Sequence, residues 1–167
     1  MNQTVLMTFA LVFVCSVLYA MISDFSRLRI PNIVSIVLIA AFAVFALLGG
    51  TGNVWPPLIL AGAVLAMLFA FFAMGWLGAG DVKLLSALML WAGPAQGLQF
   101  VVLFAIFGGI FAAALMALRY TLPFYPMLSE IPVMSKFSRW ARNGLCPYGI
   151  PIGVAALCIA PSIFAVH

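Results

Sequence analysis

Apolar runs, most of which approach the length needed to cross a membrane, make up most of this 167-residue chain and are separated by short loops. A bilayer core about 30 Å thick needs roughly 20 apolar residues in a helix, so such runs are typical of membrane-spanning helices. The runs cover residues 4–22, 33–48, 57–76, 82–92, 98–118 and 150–166. The sequence therefore predicts an all-α polytopic membrane protein with six transmembrane helices, of which the fourth is short.

The composition excludes an ordinary soluble domain. Hydrophobic residues make up 67% of the chain, against about 45–50% in soluble domains, and the mean hydropathy is +1.29. The length suits a single integral-membrane domain over residues 1–167. The three cysteines form no C-x-x-C pair, so the sequence supports neither a zinc site nor a disulfide framework. The first run lacks a basic leading segment and a small-residue cleavage site, so we expect a retained helix there.

The distribution of positive charge predicts the topology. If all six runs cross, the seven Lys and Arg residues fall in loops on one side, at about 23–32, 77–83 and 119–149. The intervening loops at 49–56 and 93–97 carry no charge. Cytoplasmic loops collect Lys and Arg, so this layout puts the basic loops in the cytoplasm and both termini outside it. If the fourth run did not cross, the bases after Leu118 would lie opposite the others. The basic pI of 9.3 thus indicates topology and contact with membrane lipids, not a nucleic-acid partner.

Two carboxylates stand out among only three acidic residues in the chain. Asp24 and Asp81 lie at the predicted cytoplasmic ends of helices one and four, and so at similar depth. A charge at a membrane helix centre costs roughly 2.5–3.5 kcal/mol, and such groups often mark functional sites. Separately, Asp24 could pair with Arg27 three residues on, and Asp81 could cap its helix. Together they suggest acid–base chemistry at the membrane boundary.

Each aspartate stands in a short motif with local structural signals. In the first, Pro31 and Asn32 end a loop and begin the second helix, because proline removes a backbone donor and suits a first helical turn. In the second, Gly78 and Gly80 precede the aspartate and allow other backbone to approach closely. The helix N-terminus there favours a negative charge.

Three stretches resemble the prepilin peptidases, which are membrane aspartyl proteases of the GxGD type. They are SDFSRLRIPN from Ser23, GAGDVKLLSALMLWAG from Gly78 and PYGIPIG from Pro147. They occur in the family's order and spacing, and the likeness is greatest to the short enzymes of tight-adherence (Flp-type) pilus systems. The resemblance implies an aspartyl endopeptidase of the bacterial inner membrane that removes prepilin leaders at the cytoplasmic face. It also implies catalysis by Asp24, Asp81 and water, with no cofactor or metal.

The resemblance also implies the partners and the surroundings of the aspartates. The substrates would be prepilins or pseudopilins with a hydrophobic N-terminal helix. The residues expected to bind substrate or shape the site are Gly78, Gly80, Lys83, Pro31, Asn32, Tyr148 and Gly149. For Lys83 the favoured interpretation is that its amine extends to lipid phosphate, and Tyr148 and Gly149 could equally have a purely structural role. Longer relatives that also methylate the new pilin N-terminus carry a region with paired C-x-x-C motifs. The present sequence has no such region, so the resemblance supports proteolysis without methylation.

Two further predictions concern the last loop and the competing functions. Residues 133–143 have the pattern of a short amphipathic helix, with Phe137 and Trp140 on one face and Lys136 and Arg139 on the other. Such helices often lie in the lipid headgroup layer, which we favour over gating of substrate entry. The alternatives are a proton-coupled transporter or assembly subunit that uses the same carboxylates, and a GxGD protease of another substrate such as an archaeal preflagellin.

Overall fold

The computed structural model describes residues 2–121, 135–137, 139–140 and 146–165. Over these ranges the chain is all-α, as predicted. The helices are α1 (Gln3–Arg27), α2 (Asn32–Leu47), α3 (Trp55–Ala73), α4 (Ala79–Thr121) and α5 (Gly149–Ala165). Helices α1, α3 and α4 are long and apolar enough to cross a membrane, and α2 and α5 are shorter apolar helices. The fold is that of a multi-pass membrane protein.

Helix α4 consists of two helices that meet at one non-helical residue. Gly93 has φ 54° and ψ −171°, and Pro94 follows it. We call the two parts α4a (79–92) and α4b (94–121). A Cβ atom at Gly97 would lie 3.5 Å from Sδ of Met89, although eight residues of straight helix span about 12 Å. The chain therefore folds back at Gly93. The predicted loop at 93–97 is wrong, because a glycine with positive φ followed by a proline reverses the chain without a loop.

Contacts among the helices define two ends of the bundle. Asp24 in α1, Gly80 in α4a and Gly149 in α5 lie together at what we call the aspartate end. At the opposite end, Gly93 lies beside Pro57 in the first turn of α3. Helix α4b then returns to the aspartate end. Across the described part of the chain six helical segments thus run between the two ends, and the fourth is the short one, as predicted.

The core near the opposite end is built around Trp91 of α4a. Its ring is 5.4–6.5 Å from five phenylalanine rings of α1, α2 and α5. These are Phe9, Phe13, Phe42, Phe45 and Phe164. The buried indole N–H donates a 3.0 Å hydrogen bond to the carbonyl of Leu38. We call this group the Trp91 cluster, and it joins four helical segments into one apolar core.

The segment after α4 packs on the protein near the aspartate end. The described residues 135–137 and 139–140 are helical. The rings of Phe137 and Trp140 lie 6.1 and 5.3 Å from that of Phe25 in α1, and Phe137 lies 6.4 Å from Phe111 of α4b. Trp140 is only 3% exposed. Trp140 therefore packs on the protein, whereas Phe137 is only partly buried. Residues 133, 134, 138 and 141–143 lie outside the described residues, and the position of this segment in the headgroup layer stays a prediction.

Candidate active site

Asp24 lies inside α1, one turn before the helix ends at Arg27. The helix thus continues beyond the predicted run, which stops at residue 22. The Asp24 side chain is 5% exposed. Its Oδ2 accepts a buried 2.7 Å hydrogen bond from the backbone N–H of Gly149, the first residue of α5. Although 125 residues separate the two in sequence, α5 therefore contacts the carboxylate directly.

Asp81 occupies the first turn of α4a and faces the same region. The backbone amide of Gly78 interacts with its carboxylate, and Asp24 and Asp81 are close enough to interact electrostatically. A Cβ atom at Gly78 would lie 2.9 Å from Oδ2 of Asp81. Because Gly78 has no side chain, the Asp81 carboxylate can occupy the space beside its Cα atom.

Both carboxylates line one pocket of about 620 Å³ at the aspartate end. Its walls come from the end of α1, the loop to α2 and the turn into α4a. The lining residues are Ser23, Asp24, Arg27, Leu28, Arg29, Ile30, Pro31, Asn32, Gly78, Ala79, Gly80 and Asp81. The two sequence motifs thus form a single concave site, large enough for a short stretch of peptide.

The loop between α1 and α2 is held by contacts that the sequence analysis did not identify. Leu28 has φ 52°, a left-handed conformation that leucine adopts rarely. Its N–H donates to the Asp24 carbonyl at 2.9 Å, and the buried Ser23 hydroxyl donates to the Arg29 carbonyl at 2.8 Å. Ser23 and Arg29 stand within the first motif, but their spacing gives no sign of a contact. Arg27 and Arg29, whose positive charges predict the topology, also form part of the pocket wall.

The first loop packs tightly against the second motif. A Cβ atom at Gly80 would lie 3.1 Å from Cβ of Ile30 and 3.3 Å from its carbonyl oxygen. Lys83 is exposed and donates a 3.1 Å hydrogen bond to Oδ1 of Asn32. This bond joins the start of α4a to the start of α2. Lys83 lies beside the pocket and does not line it, whereas Pro31 and Asn32 do.

Residues just before α5 complete the surroundings. Burial raises the pKa of the Cys146 thiol to about 11, and the charges of Asp24 and Asp81 add to this effect. The thiol is therefore neutral at physiological pH and unsuited to act as a thiolate nucleophile. Burial, with smaller contributions from Cys146 and Asp81, also raises the pKa of the Tyr148 hydroxyl. Both groups are therefore uncharged near neutral pH, so neither competes with the carboxylates for the role of a base.

The donor set at the site does not resemble a metal centre. In the ranges that the structure describes, no three His, Cys, Asp or Glu side chains cluster in a way that could hold a metal ion. The chemistry that the site offers directly is proton exchange between two neighbouring carboxylates and a substrate or water.

The fold and the shared pocket define the class as multi-pass helical membrane proteins with two carboxylates at one end of the bundle. Comparison with known families identifies the class more closely. The sequence model of the type IV leader peptidase family matches residues 11–114, which include both aspartates. The chain belongs to this family, and it is a membrane peptidase. Neither a curated protein nor a solved structure matches it. The family assignment favours a protease over the transporter or assembly subunit considered above.

Proposed function

We propose that the protein is an aspartyl endopeptidase that removes the leader peptides of prepilins at the cytoplasmic face of the bacterial inner membrane. The observation that supports this most is that Asp24 and Asp81, from separate helices, line one pocket at the same end of the bundle. The resemblance of the motifs to tight-adherence enzymes favours Flp-type prepilins or pseudopilins as substrates.

The proposed mechanism uses the two carboxylates as a pair around one water. Like charges a few ångströms apart resist double ionisation, so the pair shares one proton. The ionised carboxylate takes a proton from water as the water oxygen attacks the scissile carbonyl. The protonated carboxylic acid donates its proton to the carbonyl oxygen. As the tetrahedral intermediate collapses, the carboxylate that gave up its proton takes one back from a hydroxyl of the intermediate, which re-forms a C=O bond while the C–N bond breaks. The other carboxyl group gives the proton that it took from water to the leaving amine. The pair returns to its starting charge.

The basic residues support the cytoplasmic placement of this end. Arg27, Arg29 and Lys83 lie at or beside the pocket, and Lys136 lies 4.6 Å above the Phe25 ring. Arg119 is in the last turn of α4b, which returns to the same end. By the positive-inside preference, the pocket would face the cytoplasm. A prepilin has its charged leader there and its apolar helix in the bilayer, so its cleavage site would reach the depth of the two aspartates.

The direct test is to incubate the purified protein with prepilins in proteoliposomes and identify the products by mass spectrometry. We expect cleavage between leader and apolar helix without added metal or methyl donor. With S-adenosylmethionine present, we expect the new N-terminus to remain a free amine, because the first loop is too short for a methyl-transfer site. Archaeal preflagellin and a type IV prepilin serve as comparison substrates. No cleavage of any prepilin, or a methyl-sized mass increase that depends on this protein alone, would contradict the proposal.

A further inference from the structure

The first turn of α5 supplies a contact to Asp24 that neither sequence motif contains. The first N–H groups of a helix lack partners within the helix, so they are free to bind an acceptor at its N-terminus. Gly149 uses its N–H in this way, in the 2.7 Å bond to Oδ2 of Asp24. Bonds of this kind to an ionised oxygen are stronger than neutral ones. The family match ends at residue 114 and so does not extend to α5.

The position of Gly149 tolerates only glycine in the present geometry. A Cβ atom there would lie 2.8 Å from both Cβ and Oδ2 of Asp24, and 3.0 Å from its Cγ. Contacts below 3.0 Å are essentially absent for real Cβ atoms, so a larger residue must displace either the carboxylate or the helix. Because the obstacle is the side chain of Asp24 itself, no neighbouring residue can move aside to relieve it.

A second glycine, one turn further along α5, brings the two helices together. A Cβ atom at Gly153 would overlap Cγ of Met21 and lie 2.5 Å from its Sδ. Residues four apart share one helix face, so Gly149 and Gly153 both face α1. Gly153 thus sets how closely α5 approaches α1, and Gly149 makes the bond that this approach allows.

We propose that Gly149 is a positioning residue for the catalytic carboxylate and that Gly153 supports it by holding α5 against α1. This inference rests on the proposed function of Asp24. The amide of Gly149 holds one carboxylate oxygen in place, which leaves the other for the water shared with Asp81. The site is therefore assembled from α1, α4a and α5.

The main test is the steady-state kinetics of Gly149→Ala on a cleavable prepilin. A misplacement of about 1 Å in a catalytic group can lower the rate about 10²-fold. We expect a fall of this order in kcat with little change in KM, because Gly149 contacts the carboxylate. Wild-type kcat in a folded Gly149→Ala protein would overturn the proposal, as would an effect confined to KM.

Matched glycine variants separate positioning from general helix packing. Gly62 and Gly109 are helical glycines where an added Cβ would meet nothing within 4 Å. Gly62→Ala and Gly109→Ala should retain wild-type kcat. Gly153→Ala should lower kcat, and the second substitution Met21→Ala should restore part of it by removing the overlapping side chain. Met21→Ala should not rescue Gly149→Ala. Rescue of both glycine variants, or of neither, would contradict the assigned roles.

Disulfide formation between α1 and α5 can be measured without substrate, so it tests the helix contact separately from the proposed function. With the three native cysteines replaced by serine, Met21→Cys and Gly153→Cys should form a disulfide on mild oxidation, since these positions are in contact. If the wild-type protein cleaves no prepilin but the disulfide forms, the proposed function fails, and with it the catalytic role of Asp24, while the contact between α1 and α5 is confirmed. If the wild type is active and the disulfide does not form, the helix arrangement on which this proposal depends is wrong. Should Gly149→Ala not fold, Gly153→Ala with and without Met21→Ala provides the kinetic test.

Discussion

The two ends of the bundle use different interactions. The Trp91 cluster is built of aromatic rings, its indole N–H is paired with the Leu38 carbonyl, and the pocket that it borders is only about 210 Å³. The aspartate end contains a pocket of about 620 Å³ bounded by glycines, a strained loop and hydrogen bonds between helices. Close-packed interiors supply most folding stability, and polar pockets leave some unfilled space. We infer that one end stabilises the fold while the other holds a carboxylate pair open to a substrate.

The largest expected effect is on the chemistry at the aspartate end. Asp24→Asn and Asp81→Asn should each lower prepilin cleavage by at least about 10²–10⁴-fold, the range for loss of one acid–base group. Both substitutions keep the side-chain size, so membrane insertion and thermal stability should change little. The same chemical change in the third acidic residue, Glu130→Gln, is the control. Near-normal processing by either Asp variant would show that cleavage does not depend on both carboxylates. The contrast between a catalytic end and a stabilising end would then be wrong.

At the opposite end, the expected effect is on stability. Trp91→Ala removes the ring that joins the five phenylalanines and should lower the free energy of unfolding by about 3–5 kcal/mol. Trp91→Phe retains a ring but loses the hydrogen bond to Leu38, for which about 1 kcal/mol is expected. Thermal or SDS denaturation measures both variants. If Trp91→Phe lowers kcat strongly while remaining folded, the two ends are coupled, and the division of roles is wrong.

The smallest expected effect concerns the link between α2 and α4a. The Lys83–Asn32 bond is exposed, and exposed bonds of charged groups contribute little, about 0–1 kcal/mol. Lys83→Met and Asn32→Ala should each reduce kcat/KM by no more than a few-fold. Because each loses the same contact, the double variant should be no worse than the single ones. Arg119→Met, an exposed base in the last turn of α4b, is the control. If the losses of kcat/KM in the two single variants add up in the double variant, Lys83 acts independently of Asn32, for example by contacting the substrate.

Sequence patterns predicted the helices and the pairing of ends, but not the details of packing. Hydropathy and charge are local signals, and they were sufficient to predict six segments with Asp24 and Asp81 at the same end. The reversal at Gly93 was predicted as a loop, because composition does not distinguish a flexible connection from a single residue with positive φ. The left-handed Leu28 was not predicted, since leucine disfavours that conformation and only its surroundings hold it there.

Local sequence patterns also could not predict contacts between residues that are distant in sequence. Tyr148 and Gly149 were expected to bind substrate or shape the site, but a glycine at a helix start gives no indication that its amide binds a carboxylate 125 residues away. The packing of Trp140 on Phe25 was not predicted either, because the sequence pattern of an amphipathic helix is the same whether its apolar face contacts lipid or protein. Both contacts depend on how the helices meet in three dimensions.

The central claim is that Asp24 and Asp81 act as one pair on a shared water. The most direct measurement compares the double variant Asp24→Asn/Asp81→Asn with the two single variants in a sensitive cleavage assay. Groups that act as a unit are non-additive, so removal of the second costs little once the first is gone. We predict that the double variant retains the same residual rate as the single variants, within a few-fold. Losses that multiply, or a single variant with near-wild-type cleavage, would show that the two aspartates do not form a catalytic pair.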